Sequence, residues 1–245
     1  MKTYLNAFWM CQSMFCAIPA PQIWDEKARD KMLLFLPMVG FELGLIWAGL
    51  GWLCQFLCLP ELVTALVLTV WPWISTGFLH LDGYMDVTDA VKSCRSPERR
   101  REILKDPHVG SFAVIGIVLL VLSQFVCFAS VKAETPLWVL VFVPAVSRCC
   151  SALAVTVLPS MSTSQYAEQK KPKGHITVLS SMLLVFLTAA VLLCGKYALI
   201  LVAVLAGYGL TLGRGYRSLG GMNGDIAGAA LTVAELCAAV ALMLF

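Results

Sequence analysis

The sequence predicts an all-α integral membrane protein with about seven transmembrane helices and a short N-terminal helix that is re-entrant or interfacial. Of its 245 residues, 59% belong to the hydrophobic set and only 13% are charged, whereas soluble domains carry about 25% charged residues. The mean hydropathy of +0.81 agrees with this composition. The apolar residues also lie in runs close to the ~20 residues that a helix needs to cross a bilayer core. Lipid is therefore the expected solvent for most of the chain.

The apolar runs define the predicted elements in order. The first stretch, residues 4–16, is too short to span a bilayer, so a re-entrant or interfacial helix is expected there. Seven longer runs follow, and prolines at 37, 72 and 144 interrupt three of them. The runs cover residues 33–58, 62–80, 110–131, 136–159, 176–194, 197–213 and 226–245. They leave no room for a soluble domain, so residues 1–245 are interpreted as a single polytopic membrane domain.

The distribution of basic residues predicts the orientation. They gather before the first run and after the second, fourth and sixth runs, at residues 27–31, 92–105, 170–173 and 214–217. Seven alternating spans place all four clusters on one side of the membrane, and cytoplasmic loops carry the excess of lysine and arginine. We therefore expect a multi-pass protein of the cell (inner or plasma) membrane with its basic loops in the cytoplasm.

An acidic motif at the end of the second run is the densest polar feature of the chain. Asp82, Asp86 and Asp89 follow one another at i, i+4 and i+7, so on a helix they lie within about 60° of one another. Three carboxylates on one face repel unless a cation lies among them, and Mg²⁺ prefers such oxygen ligands and bridges carboxylates to phosphate. The motif predicts a divalent metal site. A solvated helix end with scattered acids is the alternative.

The acidic motif and the cytoplasmic loop that follows it make up residues 80–110, and this loop is rich in basic residues. Beside a carboxylate cluster, such residues suit a phosphorylated substrate, with a metal on one side and arginine or lysine on the other. The alternative is contact with anionic lipid headgroups. We expect Arg95 and Lys105, together with Asp106, to bind substrate, and the arginine run 99–101 to contact headgroups.

A glycine-rich turn, residues 219–225, precedes the last run. Glycines let backbone N–H groups approach a ligand, and a helix N-terminus favours phosphate. Asn223 and Asp225 are therefore candidate substrate-binding residues.

Three ionisable residues, Glu42, Arg148 and Glu235, lie inside apolar runs, where such groups are costly and face a partner or a cavity. Arg148 either pairs with one of the glutamates or contacts substrate. Glu235 is a candidate supporting residue next to the site. His80 falls on the opposite helical face from Asp82, so it would support the site without contacting substrate.

These segments closely resemble the signature of the cobalamin synthase family, also called adenosylcobinamide-GDP ribazoletransferases. The similarity includes the motif 77–89, loop positions 95, 102–106 and 110, an N-terminal pattern at 18–19 and 36–40, and the C-terminal segment 219–235. The chain departs from the family pattern at Ala90, where glycine is common, and at Pro107 and His108, which replace a more usual Ser-Arg. Neither departure removes a carboxylate of the motif.

The resemblance implies a reaction in which α-ribazole, through its 5′-hydroxyl, or α-ribazole 5′-phosphate attacks the cobinamide-side phosphorus of adenosylcobinamide-GDP. GMP leaves, and adenosylcobalamin or its phosphate forms. The resemblance also implies dependence on Mg²⁺, with Mn²⁺ as the alternative ion. On this sequence Asp82 and Asp86 are the expected catalytic metal ligands, and Asp89 is either a third ligand or the base. The expected partners are the two substrates and membrane lipids.

Two other functions share parts of this pattern. A CDP-alcohol phosphotransferase-type lipid enzyme uses several aspartates, but its Ala-Arg pair after the first Asp-Gly and its further Gly-x-x-x-Asp-x-x-x-Asp are missing here. A small transporter would place glutamate and arginine along an ion path, but the aspartates cluster at one helix end and no paired repeat occurs. A net charge of +3 is too small to indicate a nucleic-acid partner, and a homo-oligomer is compatible with the sequence.

Overall fold

The computed structural model describes residues 2–132, 134–161 and 173–245, and the elements of these ranges are helices. In chain order they are α1 (Lys2–Phe15), α2 (Glu26–Arg29), α3 (Leu36–Phe56), α4 (Glu61–Ile74), α5 (Leu79–Lys92), α6 (Pro97–Ile103), α7 (Ser111–Ala129), α8 (Phe142–Val157), α9 (Lys173–Cys194), α10 (Ile200–Leu219) and α11 (Gly224–Met243). The all-α prediction is confirmed for these residues. Lys170 and Lys171, which belong to the third basic cluster, lie outside them.

Several of the helices are suited to a membrane. Within the described ranges five helical stretches are long and apolar enough to cross one: Met32–Phe56, Ser111–Ala129, Leu137–Val157, Gly174–Leu219 and Gly224–Met243. A sixth crossing results if α4 and α5 together form one bent span. The protein is therefore a polytopic membrane protein, and the count of seven spans stays a prediction.

The second apolar run, residues 62–80, which Pro72 interrupts, is divided between two helices. α4 ends at Ile74, α5 begins at Leu79, and their axes differ in direction by 83°. Pro72 has no N–H to donate within α4, and Gly77 and Phe78 adopt left-handed backbone conformations with φ of +58° and +64°. A right-handed helix cannot continue through such residues. The acidic motif therefore lies on a helix of its own.

The predicted runs 176–194 and 197–213 form one helical stretch of 46 residues. A straight helix of that length would measure about 70 Å, more than twice the ~30 Å of a bilayer core. Gly195, with φ of +56°, and the 3₁₀ segment Gly195–Leu199 separate α9 from α10. Both halves pack on α8, and α10 packs most extensively on α11.

The N-terminal stretch forms α1, whose 14 residues are too few to cross a membrane. Its buried side, which includes Met10 and Cys11, packs on α2, on α3 and on the segment between them. Gln12 Nε2 donates a hydrogen bond to Glu42 Oε2 of α3 at 3.0 Å. The intramembrane glutamate Glu42 thus has a polar partner, and the depth of α1 in the membrane stays a prediction.

Close helix crossings depend on small residues. α11 contacts α5, α7, α8 and α10, and most of its buried side chains are alanine. Small residues let membrane helices approach until their backbones touch. α3 meets the start of α8 in the same way, because a Cβ on Gly44 would collide with the carbonyl of Val141 and lie 3.0 Å from that of Leu140.

Gly44→Ala should therefore destabilise the protein, since the added methyl group meets backbone atoms that cannot rotate away. Overpacking of this kind costs about 1–3 kcal/mol. Gly49→Ala on the same helix is the matched control: nothing lies within 4 Å of its Cβ position, and alanine favours a helix over glycine by up to about 1 kcal/mol. Thermal unfolding in one detergent should show a lower midpoint for Gly44→Ala only. Equal midpoints for the two variants would contradict the close crossing of α3 and α8.

Candidate active site

The turn between α4 and α5 sets the direction of the acidic helix. Phe78 is a non-glycine residue in the left-handed region, a conformation that costs about 1–3 kcal/mol and persists where surrounding contacts fix it. Its N–H donates to the carbonyl of Trp73 at 2.8 Å, and the N–H of Ala17 donates to the carbonyl of Ser75 at 2.7 Å. These bonds hold the bend that directs α5 towards the start of α11.

α5 and the N-terminal part of α11 cross with their backbones in contact. A Cβ on Gly83 would lie 3.0 Å from both the Cα and the carbonyl oxygen of Asp225, and a Cβ on Gly228 would lie 3.2 Å from the Cα of His80. Thr232 Oγ1 adds a hydrogen bond to the carbonyl of His80 at 3.1 Å. The crossing brings Asp225 alongside the aspartates of α5.

Four carboxylates form one cluster at this crossing. The negative charges of Asp82, Asp89 and Asp225 all act on Asp86, and Asp82 also acts on Asp225. Within the described part of the chain, none of the four forms an ion pair with a lysine, arginine or histidine. The cluster is therefore a concentration of negative charge that lacks a counter-cation from these residues.

This donor set fits a divalent cation that substrate helps to bind. Among the residues that the structure describes, no three acidic, histidine or cysteine side chains approach closely enough to hold a metal ion by themselves. Mg²⁺ commonly takes only one or two carboxylates and completes its shell with water and substrate phosphates. One or two of these carboxylates would fit that arrangement.

The glycine-rich turn is fixed by its own hydrogen bonds. Asn223 caps α11, since its Oδ1 accepts from the N–H of Ile226 at 3.0 Å, while its Nδ2 donates to Asp225 Oδ2 at 2.6 Å. Met222 exchanges backbone hydrogen bonds of 2.9 Å with the strand-like segment that follows α8. The Asn223 side chain is buried and positions the helix start and Asp225, and its contact with substrate stays a prediction.

The arginine run lies on α6, and two of its members bind protein instead of facing only lipid headgroups. Arg100 Nη1 donates to the carbonyl of Ser218 at 3.5 Å, and Arg101 Nη1 donates to that of Leu219 at 3.4 Å. Both carbonyls belong to the end of α10, just before the glycine-rich turn. These two residues thus connect the loop to the residues just before the glycine-rich turn, and contact of the arginine run with headgroups stays a prediction.

Of the predicted loop residues, Arg95 is the one that lies near the acidic motif. It lines a cavity of about 460 Å³ together with Asp89, Ser93 and Gly110, and the carboxylate of Asp89 lies directly against the backbone of Gly110. An arginine and a catalytic-motif carboxylate therefore share one cavity. Lys105 is exposed and lies outside this cavity's lining.

Asp106 is occupied locally. Its Oδ1 accepts hydrogen bonds from the backbone N–H of His108 at 3.0 Å and contacts the His108 ring Nδ1 at 2.6 Å. These hydrogen bonds lower the pKa of the Asp106 carboxyl. Asp106 therefore stabilises the turn before α7, and its role in substrate binding stays a prediction. His108, a departure from the family pattern, is its partner.

Arg148 adopts the pairing alternative. Its Nη1 lies 3.0 Å from Glu235 Oε1 and also donates to the carbonyl of Pro144 at 3.5 Å, and the Arg148 side chain is only 1% exposed. This guanidinium is thus buried and paired, and its contact with substrate stays a prediction. Glu235 serves as its partner, and this ion pair links α8 to α11.

His80 supports the site through its backbone. It is buried, and its carbonyl accepts the hydrogen bond of Thr232 on α11, so it helps to fix the crossing beside Asp82.

Sequence reasoning missed that Asp225 belongs to the carboxylate cluster, because only the crossing of α5 and α11 brings this residue to the motif.

Comparison with known proteins agrees with these features. The family model described as cobalamin-5-phosphate synthase matches residues 7–243. The chain is similar to an adenosylcobinamide-GDP ribazoletransferase of Clostridium perfringens (strain 13 / Type A), with 36% identity and 96% of each chain covered. It is also similar to proteins of the same name from Clostridium botulinum (strain Alaska E43 / Type E3), with 31% identity over all of both chains, and from Brevibacillus brevis, with 30% identity over 94% of this chain and 95% of the relative. No solved structure matches the chain.

Proposed function

The chain belongs to the cobalamin-5-phosphate synthase family, and on that premise we propose that it joins adenosylcobinamide-GDP to α-ribazole, or to α-ribazole 5′-phosphate, by metal-assisted phosphoryl transfer. The products are adenosylcobalamin, or its phosphate, and GMP. The observation that carries this proposal is the cluster of four carboxylates without a counter-cation, beside a cavity lined by Arg95. Because the chain belongs to this family, the lipid-enzyme and transporter alternatives are excluded.

The transfer exchanges one P–O bond for another. The oxygen of a ribazole hydroxyl bonds to the cobinamide-side phosphorus, the bond from that phosphorus to the bridging oxygen breaks, and GMP leaves with the bridging oxygen. The 5′ position carries a phosphate in one of the two acceptors, so the attacking hydroxyl is another one of the ribose and not the 5′-hydroxyl that was expected from the resemblance. Such a transfer requires charge neutralisation at the diphosphate and an oriented hydroxyl more than covalent help from the protein.

Asp82 and Asp86 would hold Mg²⁺ or Mn²⁺, with Asp225 completing the carboxylate set. When bound, the ion would supply positive charge that offsets the negative charge of the diphosphate. The close contact of Gly83 with Asp225 supports this assignment, since it fixes carboxylates from two helices at one place.

The remaining roles follow from position. Asp89 is either a further ligand or the base that accepts the proton of the attacking hydroxyl, and it lines the same cavity as Arg95. Arg95 would donate charge-assisted hydrogen bonds to phosphate oxygens. Lys105, exposed on the same loop, would reach the diphosphate or GMP from the solvent side.

We place this site on the cytoplasmic side of the cell membrane. Seven spans result if the bent pair α4–α5 is one crossing and α9 and α10 each cross separately, since each of the latter has at least 20 residues. That count puts the basic clusters around residues 92–105 and 214–217 on the same side, as the positive-inside bias requires.

Asp82→Asn and Asp86→Asn should each lower kcat by about a hundredfold or more, since each removes charge stabilisation at the diphosphate. Glu61→Gln, an exposed carboxylate in the first turn of α4, is the control and should keep full activity. GMP release from adenosylcobinamide-GDP by the purified protein measures the effect.

Removal of the metal should also abolish the activity. A chelator should stop GMP release, and Mg²⁺ or Mn²⁺ should restore it. Full turnover in metal-free buffer would contradict the metal site, and no GMP release by the unmodified protein would contradict the function.

Lys105→Ala should raise KM for adenosylcobinamide-GDP or lower kcat. Loss of a charge-assisted contact corresponds to roughly a tenfold to hundredfold fall in kcat/KM. Lys27→Ala removes an exposed lysine from α2 and is the matched control. Steady-state kinetics on membranes with equal amounts of inserted protein would distinguish the two. An equal loss in both variants would show that only general surface charge matters.

A further inference from the structure

A second cavity lies on the other side of the acidic helix. Its volume is about 580 Å³, within the range of about 300–1,000 Å³ for ligand sites. α5 forms its floor through Tyr84, Val87, Thr88 and Val91. These residues repeat at i, i+3, i+4 and i+7, roughly opposite to the face that carries Asp82. We call this cavity the α7–α10 groove, because those two helices form its walls.

The walls of the groove are apolar and face outward. On α7, Ile115 and Leu119 line it and are 56% and 60% exposed. α7 is one of the candidate membrane spans and has a hydropathy of 2.6. Large apolar side chains that are exposed on such a helix contact lipid. The groove therefore opens where the hydrocarbon chains of the bilayer would lie.

Two exposed cations line the groove, and each comes from the C-terminal part of its helix. Lys92 is the last residue of α5, and Arg214 lies near the end of α10. The lining contains no acidic residue, and neither cation forms an ion pair within the described residues. Cations at the end of a membrane helix attract anionic headgroups, and phosphate oxygens are their strong hydrogen-bond acceptors.

We propose that the α7–α10 groove is a binding site for an anionic glycerophospholipid. Its phosphate lies between Lys92 and Arg214, and one acyl chain runs along Ile115 and Leu119. This distribution of charge, positive at the helix ends and apolar along the walls, matches the two parts of such a lipid. The bound lipid packs on the back of α5 and so supports the helix that carries the carboxylates.

The position of α5 argues against a substrate in this groove. The helix stands between the groove and the carboxylates, since the groove residues and Asp82 lie on opposite faces. Tyr84 Oη donates to the carbonyl of Gly116 on α7 at 3.3 Å, which closes α5 against α7 within the groove. A hydroxyl bound there has no direct route to the diphosphate.

The test is lipid retention by the purified full-length protein, measured by native mass spectrometry. Detergent micelles contain palmitoyl-oleoyl phosphatidylglycerol or, separately, the corresponding phosphatidylcholine at equal concentration. The unmodified protein should retain about one phosphatidylglycerol in preference to phosphatidylcholine. The double variant Lys92→Gln, Arg214→Gln should bind phosphatidylglycerol about tenfold or more weakly, because two charge-assisted contacts are lost. Both residues are exposed, so size-exclusion profiles should stay unchanged.

A matched double control is Lys27→Gln, Arg217→Gln, which removes two exposed cations that lie outside the groove. It should retain the lipid. Equal weakening in both double variants would show a general attraction to the basic surface and would overturn the proposal, as would unchanged retention in the groove variant.

Leu119→Trp tests the acyl-chain part, because the larger side chain occupies the groove. Leu122→Trp, on the same exposed surface of α7 but outside the lining, is its control. Leu119→Trp alone should reduce retention of phosphatidylglycerol. If Leu119→Trp instead left lipid retention unchanged and raised KM for α-ribazole in lipid-free micelles, the groove would be a substrate route and the lipid assignment would be wrong.

Discussion

The close crossing of α5 and α11 is the contact on which the site depends. Gly83 allows the backbone of Asp225 to touch α5, and Gly228 allows the backbone of His80 to touch α11. Any larger residue at these positions would separate the helices and withdraw Asp225 from the motif. The other features hold this crossing in place: the strained turn at Phe78 directs α5, and the buried pair of Arg148 with Glu235 connects α11 to α8.

The crossing has an electrostatic consequence. It concentrates four negative charges next to a cavity that Arg95 lines, in a protein where charged residues are scarce. In isolation this arrangement is unfavourable, because like charges repel more strongly where water is partly excluded. In the proposed mechanism a divalent cation would relieve the repulsion, and the nearby arginine would help to stabilise the bound diphosphate. Phosphoryl transfer from a nucleotide-activated alcohol to a ribose hydroxyl requires neutralisation of the diphosphate charge, and a cation on one side with an arginine on the other would supply it.

Sequence reasoning predicted the helical membrane fold, the acidic helix and the family, because these depend on local composition and on residues close together in the chain. It marked Pro72 as an interruption of the run 62–80 but did not predict the 83° bend at Gly77 and Phe78, since apolar composition continues through the bend. It did not predict the partners of Asn223 and Asp106, which are the N–H of Ile226 and His108, and it left open whether Arg148 pairs with Glu42 or with Glu235. Such partners depend on local geometry or on the packing of distant helices. The membership of Asp225 in the carboxylate cluster was missed for the same reason.

The most direct test of the account is whether carboxylates from both helices hold one cation. Electron paramagnetic resonance can count Mn²⁺ bound to the purified protein with adenosylcobinamide-GDP present and α-ribazole omitted, so that no turnover occurs. The account predicts bound Mn²⁺ that Mg²⁺ displaces, and affinity lower by about tenfold or more in Asp225→Asn, since a charged ligand is lost. Asp106→Asn, whose carboxylate serves only its own turn, should bind Mn²⁺ like the unmodified protein. Equal affinity in Asp225→Asn and the unmodified protein, or no protein-dependent Mn²⁺ signal in either, would contradict the claim that the α5–α11 crossing builds the metal site.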